Sequence, residues 1–222
     1  MRNKIFLIFL TSLPLLSNDN FQYKVDLKYL NNTLEAKEQV SGDTFSIKEK
    51  ESITIPTIEI RYKNRDLLYI SSFSTIYSHD NIIDSTQTVY SDIENRFTTA
   101  GYKRILKDVK FGLNIHNYYY NIHFYDNENS IPIENSYTFP TISVDVDTKL
   151  NKNYAINYGA TAGYGTNMNY YNLYLEADYE FGFSENSHFS IGYNLSEFYI
   201  LKDQYNTFHR YQGPYIDLNI IF

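Results

Sequence analysis

The chain has 222 residues with 24 Tyr and 15 Phe, no Trp and no Cys, and a formal net charge of −7. The lack of cysteine excludes disulfides, thiolate metal sites, a cysteine nucleophile and a lipid-modified cysteine anchor. The acidic balance argues against a nucleic-acid partner, which requires a basic face. An aromatic-rich chain that is also polar must place its apolar residues economically, and strict alternation along strands does so.

The first residues have the three parts of a secretory signal: basic Arg2 and Lys4, an apolar run from Ile5 to Leu10, and the small residue Ser17 before polar Asn18. The run is too short to cross a bilayer comfortably and Pro14 interrupts it. The expectation is a signal over residues 1–20, cleaved near 17–20, followed by one domain over 21–222.

No later segment approaches the roughly 20 apolar residues of a transmembrane helix. In Phe21 to Tyr29 the odd positions are apolar or aromatic and Gln22, Lys24, Asp26 and Lys28 fill the even ones. That period of two lasts for the length of a tilted membrane-crossing strand. The pattern returns in Val109 to Ile115, Ile142 to Val146, Tyr154 to Tyr164, Tyr171 to Phe183, Phe189 to Leu195 and Ile216 to Phe222. Segments 52–62, 67–78 and 118–125 are weaker strands. The outward face of 67–78 is ambiguous, because Tyr69, Phe73 and Tyr77 compete with Leu68, Ile70 and Ile76, and a bulge there would switch parity.

The connections segregate by length. Short turns are expected at Lys63 to Asp66, His116-Asn117, Thr148 to Asn153 and Ser184 to Ser187, and longer connections at 31–51, 79–104, 126–136 and 196–211. Only 166–169 is short on the second side. Ser41-Gly42-Asp43 marks the turn of a projecting hairpin, although Leu34 to Gln39 also suits a helical turn, and 79–104 has room for a short helix near Ser91 to Phe97. The expected fold is all-β: a transmembrane antiparallel up-and-down barrel of about ten strands, or eight if weak pairs merge, with short periplasmic turns and longer extracellular loops.

The last residues, Tyr215-Ile-Asp-Leu-Asn-Ile-Ile-Phe222, have a terminal Phe preceded by apolar Ile216, Leu218 and Ile220 at alternate positions. With this ending the chain resembles the small outer-membrane barrels of Gram-negative bacteria, the OmpA and OmpX-like class. The resemblance implies an outer-membrane location. It also implies that Phe222, Ile220, Leu218 and Ile216 form a signal for the barrel-assembly machinery, and that the partners include outer-membrane lipids and lipopolysaccharide. No peptidoglycan-binding domain is expected after the barrel, and the surface ligand is left open.

The inward face is expected to hold Lys24, Asp26, Lys28, Glu59, Arg61, Lys110, Asp145, Asp147, Glu176, Asp178, Glu180 and Asp217. These charges suit either a cross-barrel network filling a narrow lumen or an acidic ion path. His188-Phe-Ser190 is similar to the His-x-Ser of outer-membrane lipid A deacylases, with Glu197 or Glu185 as a third member. However, Ile191 stands where that family has Asn, and the parity turns both side chains inward. Asp145-Val-Asp147 and His79-Asp80 resemble the acidic pair and Asp-His pair of omptin proteases, but the first lies near a periplasmic turn. Tyr118-Tyr-Tyr120 and Tyr170-Tyr171 suit an interfacial girdle or a sugar platform. His116, His123 and His209 are too scattered for a metal site, and no cofactor is expected. The leading expectation is a structural or surface-interaction barrel acting through its external loops. A small channel or transporter is the alternative, and a hydrolase ranks third.

Overall fold

The structure is a computed structural model. It describes residues 20–40, 43–82, 88–125, 130–151, 153–180, 187–202 and 205–222. The expected signal over residues 1–20, apart from Asn20, lies outside these residues, as do Ser41-Gly42 and most of the expected turn at Ser184 to Ser187.

Ten antiparallel strands close into one up-and-down barrel. They are β1 (Phe21–Val40), β2 (Asp43–Tyr62), β3 (Asp66–Ile82), β4 (Thr88–Leu106), β5 (Val109–Tyr125), β6 (Ser130–Lys149), β7 (Tyr154–Gly165), β8 (Met168–Glu180), β9 (Ser187–Lys202) and β10 (Tyr205–Ile221). Closure joins β1 to β10, from Lys24 opposite Ile221 to Val40 opposite Tyr205. Beyond the last strand, Phe222 and Tyr23 exchange main-chain bonds of 2.8 and 3.3 Å. One end of the barrel is made of short turns. Lys63, Asn64 and Lys107 take left-handed backbone conformations there, with φ of 49°, 54° and 57°. At the other end several strands continue into projecting arms.

Outward side chains form an apolar band bracketed by aromatics, as in Phe21 to Tyr29, Tyr154 to Tyr164 and Tyr171 to Tyr179. Each stretch has the roughly 9–11 residues that cross a bilayer as a tilted strand. β1 runs on from Tyr29 to Val40, about 36 Å of further strand at 3.3 Å per residue. The β7–β8 hairpin instead turns at once, with Asn167 at φ 62°, so the wall is low there.

The strand count agrees with expectation, but the chain reaches it by another route. Residues 79–82 and 88–104 are neither loop nor helix: they complete β3 and form most of β4. His116-Asn117 is not a turn, because β5 runs straight through it and the turn falls at Lys107-Asp108. One missed strand and one split strand cancel. Leu34 to Gln39 is strand and not a helical turn, and β1 pairs with β2 as far as Val40 opposite Asp43. β3 keeps one parity throughout. Leu68, Ile70 and Ile76 point outward, and Tyr77 is buried inside.

The β2–β3 seam is the irregular place in the wall. Pairing runs from Tyr62 opposite Asp66 only to Thr57 opposite Ser71, although both strands continue well beyond. The next residue on β2 is Pro56, which has no N–H to offer a ladder. Above this point Glu51 of β2 accepts the main-chain N–H of Ile76 on β3, so a side chain replaces the strand ladder.

Candidate functional site

The lumen is layered along the barrel axis. Nearest the turn end lies the charged layer. Lys24 pairs with Asp26 at 3.0 Å and Glu59 at 3.8 Å, and Lys110 pairs with Asp147 at 2.6 Å. Asp145 binds Lys103 at 2.7 Å. Lys103 was not foreseen, because it falls in the stretch read as a loop. The side chain of Glu180 lies outside the described ones. The other expected lumen charges line one cavity of about 560 Å³ that reaches Asn151 and Asn153 at the turn end. These ion pairs join near neighbours on the wall, so the charges leave this space open and do not fill it.

Above the charges comes a layer of three tyrosine straps. Tyr69, Tyr174 and Tyr215 lie against Gly101, Gly159 and Gly192, their direct partners on the adjacent strand. A ring laid over a glycine covers backbone that would otherwise face the lumen. Each hydroxyl also donates across the wall: Tyr69 to Asn114 at 2.8 Å, Tyr174 to Asp145 at 2.8 Å and Tyr215 to Glu176 at 2.7 Å. Lys28 places its ammonium 4.0 Å from the centre of the Tyr215 ring.

The third layer is aromatic and closes the lumen. His116 is stacked between Phe97 and Phe139 at 5.0 and 5.3 Å, and its ring nitrogens contact the hydroxyls of Thr99 at 2.8 Å and Thr141 at 2.7 Å. Tyr118 stacks on Phe198 at 4.2 Å and bonds to Asn95, Tyr211 and His209. Tyr118, Tyr120, Phe139 and Phe198 are fully buried. Leu34, Ile47, Ile93, Ile122, Met168 and Ile200 pack into the same core. Tyr118 and Tyr120 are therefore neither girdle nor sugar platform. Tyr119 and Tyr171 do face outward.

Among the hydrolase candidates, His188 and Ser190 share the inward parity of β9 near the turn end. Glu197 points outward near the arm end and is held by Arg210 at 2.5 Å, Tyr199 at 2.7 Å and Tyr171. The three do not converge. Asp145 and Asp147 are bound to lysines in the charged layer, as above. His79 and Asp80 lie in β3, and their side chains are outside the described ones. Among the described residues no three metal-ligating side chains come together.

The outer wall of the arms carries a separate network. Glu35 binds Lys48 at 2.8 Å and Arg210 at 3.3 Å, and Arg210 reaches on to Glu197. The Lys48 hydrogen bond, with Lys48 and Arg210 charge nearby, holds the Glu35 carboxyl below its usual range. At the turn end, the Tyr102 hydroxyl and Arg104 guanidinium do the same for Asp66.

No protein-family model and no curated protein sequence matches the chain. The fold is that of outer-membrane β-barrels. Outer membrane protease OmpT from Escherichia coli is similar with a TM-score of 0.64 at 11% identity, over 93% of this chain and 99% of that one. The translocator domain of autotransporter NalP from Neisseria meningitidis is similar with a TM-score of 0.50 at 9% identity, over 99% and 95% of the two chains. At these identities the likeness is one of fold, and fold alone does not carry chemistry.

Proposed function

We propose that the protein is a sealed outer-membrane scaffold that presents its strand arms at the cell surface for interaction or adhesion. In this reading the short turns face the periplasm and the arms face outward. The observation that carries it is the aromatic layer, in which Tyr118, Phe139 and Phe198 close the lumen while β1 to β6 and β9 to β10 continue as arms. A pore needs a continuous wetted path, and fully buried rings packed at 4.2 to 5.7 Å leave none at that level. The hydrolase reading gains no support, since His188, Ser190 and Glu197 stand on opposite faces of β9.

The test is adhesion of non-adherent bacterial cells expressing either the full barrel or a barrel whose β1–β2 arm is shortened to a tight turn. Binding to host-cell monolayers should appear with the full barrel and fall at least fivefold with the shortened arm. No gain of adhesion, or gain that survives shortening every arm, would reject the adhesion function.

A further inference from the structure

The cavity below the tyrosine straps has walls of unequal charge. On the side made by β4 to β6, Lys103 pairs with Asp145 and Lys110 with Asp147, and Lys149 adds a third cation. On the side made by β8, β10, β1 and β2, the carboxylates of Asp26, Glu59, Glu176, Asp178 and Asp217 share the wall with Lys24, Lys28 and Arg61. On that wall the carboxylates outnumber the cations by two, and over the whole lining seven stand against six Lys and Arg side chains, an excess that a bound cation eases.

A second observation points to a hydrogen-bond donor. Asp217 and Asn219 follow one another on the inward face of β10, are each 5% exposed and line the cavity. The Oδ1 atoms of both are buried without a hydrogen-bond partner. The register sets Asp26, which holds Lys24, opposite Asn219, and Lys28 opposite Asp217, so the two open acceptors stand next to one another on β10 beside a third carboxylate on β1. Asp178 and Asp217 both flank Ser190, one from each side of β9. Two strand spacings therefore separate their backbones, about 10 Å.

From this geometry we infer that the turn-end cavity binds a short linear diamine. One ammonium is held by Asp217 and Asn219 beside Asp26, and the other by Asp178 and Glu176. The methylene chain lies against the Tyr215 ring below the aromatic layer. Because no three ligating side chains converge among the described residues, the acceptors suit an extended organic cation better than a metal ion. In the proposed orientation the cavity opens to the periplasm. The inference does not depend on what the arms bind.

Isothermal titration of the detergent-folded protein with 1,4-diaminobutane tests it, with butylamine, 1,4-butanediol and magnesium chloride compared at constant ionic strength. The diamine should show one saturable site, butylamine should bind at least tenfold more weakly, and the diol and magnesium should give no saturable heat. Asp217→Asn should weaken the diamine at least tenfold, whereas Glu35→Gln on the outer arm should leave it unchanged. No saturable diamine binding, equal binding of magnesium, or an unaffected Asp217→Asn protein would overturn the assignment. If Asp217→Asn does not fold, Asn219→Ala takes its place, and equal binding of diamine and diol by the unmodified protein would overturn the assignment without any variant.

Discussion

Tyr215 lies over Gly192 on the neighbouring strand and donates its hydroxyl to Glu176, one strand further round, at 2.7 Å. One residue thus ties together β10, β9 and β8 and hides bare backbone from the lumen. Removing only the hydroxyl in Tyr215→Phe should cost about 1.5–3 kcal/mol, the range for a hydrogen bond to a charged group. Tyr215→Ala also uncovers Gly192 and leaves a void, so it should cost more, about 3–5 kcal/mol. Urea titration in lipid vesicles measures both, and equal losses would mean that the ring does no packing.

Leu175 and Glu176 are adjacent and face opposite ways: Leu175 is 58% exposed on the outer wall, and Glu176 lines the cavity. Leu175→Arg should cost about 2–4 kcal/mol if this position lies near the bilayer midplane. Glu176→Gln should cost less, because an amide oxygen can still accept from Tyr215. Similar losses in a folding titration would contradict the strand register.

The Glu35 network makes the arms sensitive to acid. Its carboxyl is held below the usual range, so its contribution is fully present above the ordinary Glu pKa of about 4.3. That contribution is lost as pH falls through the lower folded value. Limited proteolysis of the β1–β2 arm should therefore rise as pH drops below about 4 and stay flat between 5 and 8. Glu35→Gln should abolish that acid step, and an unchanged step would remove Glu35 from this role.

Along the β2–β3 seam, the main-chain groups above Thr57 and Ser71 lack a strand partner on one side. Amides of Ser72 to Ser78 that point into the seam should exchange with deuterium faster than those bonded to β4. Ile76, held by Glu51, should be slower than its seam-facing neighbours until Glu51→Ala releases it. Uniform protection along β3 would show that the seam is closed.

The spans of β1, β7, β8 and β10 were legible because their outward positions face an apolar band, so alternation appears as apolar against polar. β4 was not legible because its upper outward positions are Asp92, Glu94, Arg96 and Thr98, while Ile93 and Phe97 point inward. Above the band both faces of a strand obey different demands, and polar outward residues resemble a loop. His116-Asn117 looked like a turn as two consecutive polar residues. In the fold His116 points inward to Thr99 and Thr141, and Asn117 points outward to Ser136 and Thr138 at 3.2 and 3.1 Å. Parity put eleven of the twelve expected charges on the cavity wall, with Glu180 outside the described side chains, and it missed Lys103 and Lys149. The aromatic closure was not legible, because it is assembled from residues such as Phe97, Tyr118 and Phe198 on strands far apart in sequence.

The central claim is that the aromatic layer seals the barrel, and single-channel recording in planar bilayers tests it most directly. The unmodified protein should give no steady conductance, with brief openings at most. Replacing Tyr118 and Phe198 together by Ala should open a path from the charged cavity to the arms and produce persistent steps. Stable, cation-selective steps from the unmodified protein would contradict the seal and favour a channel.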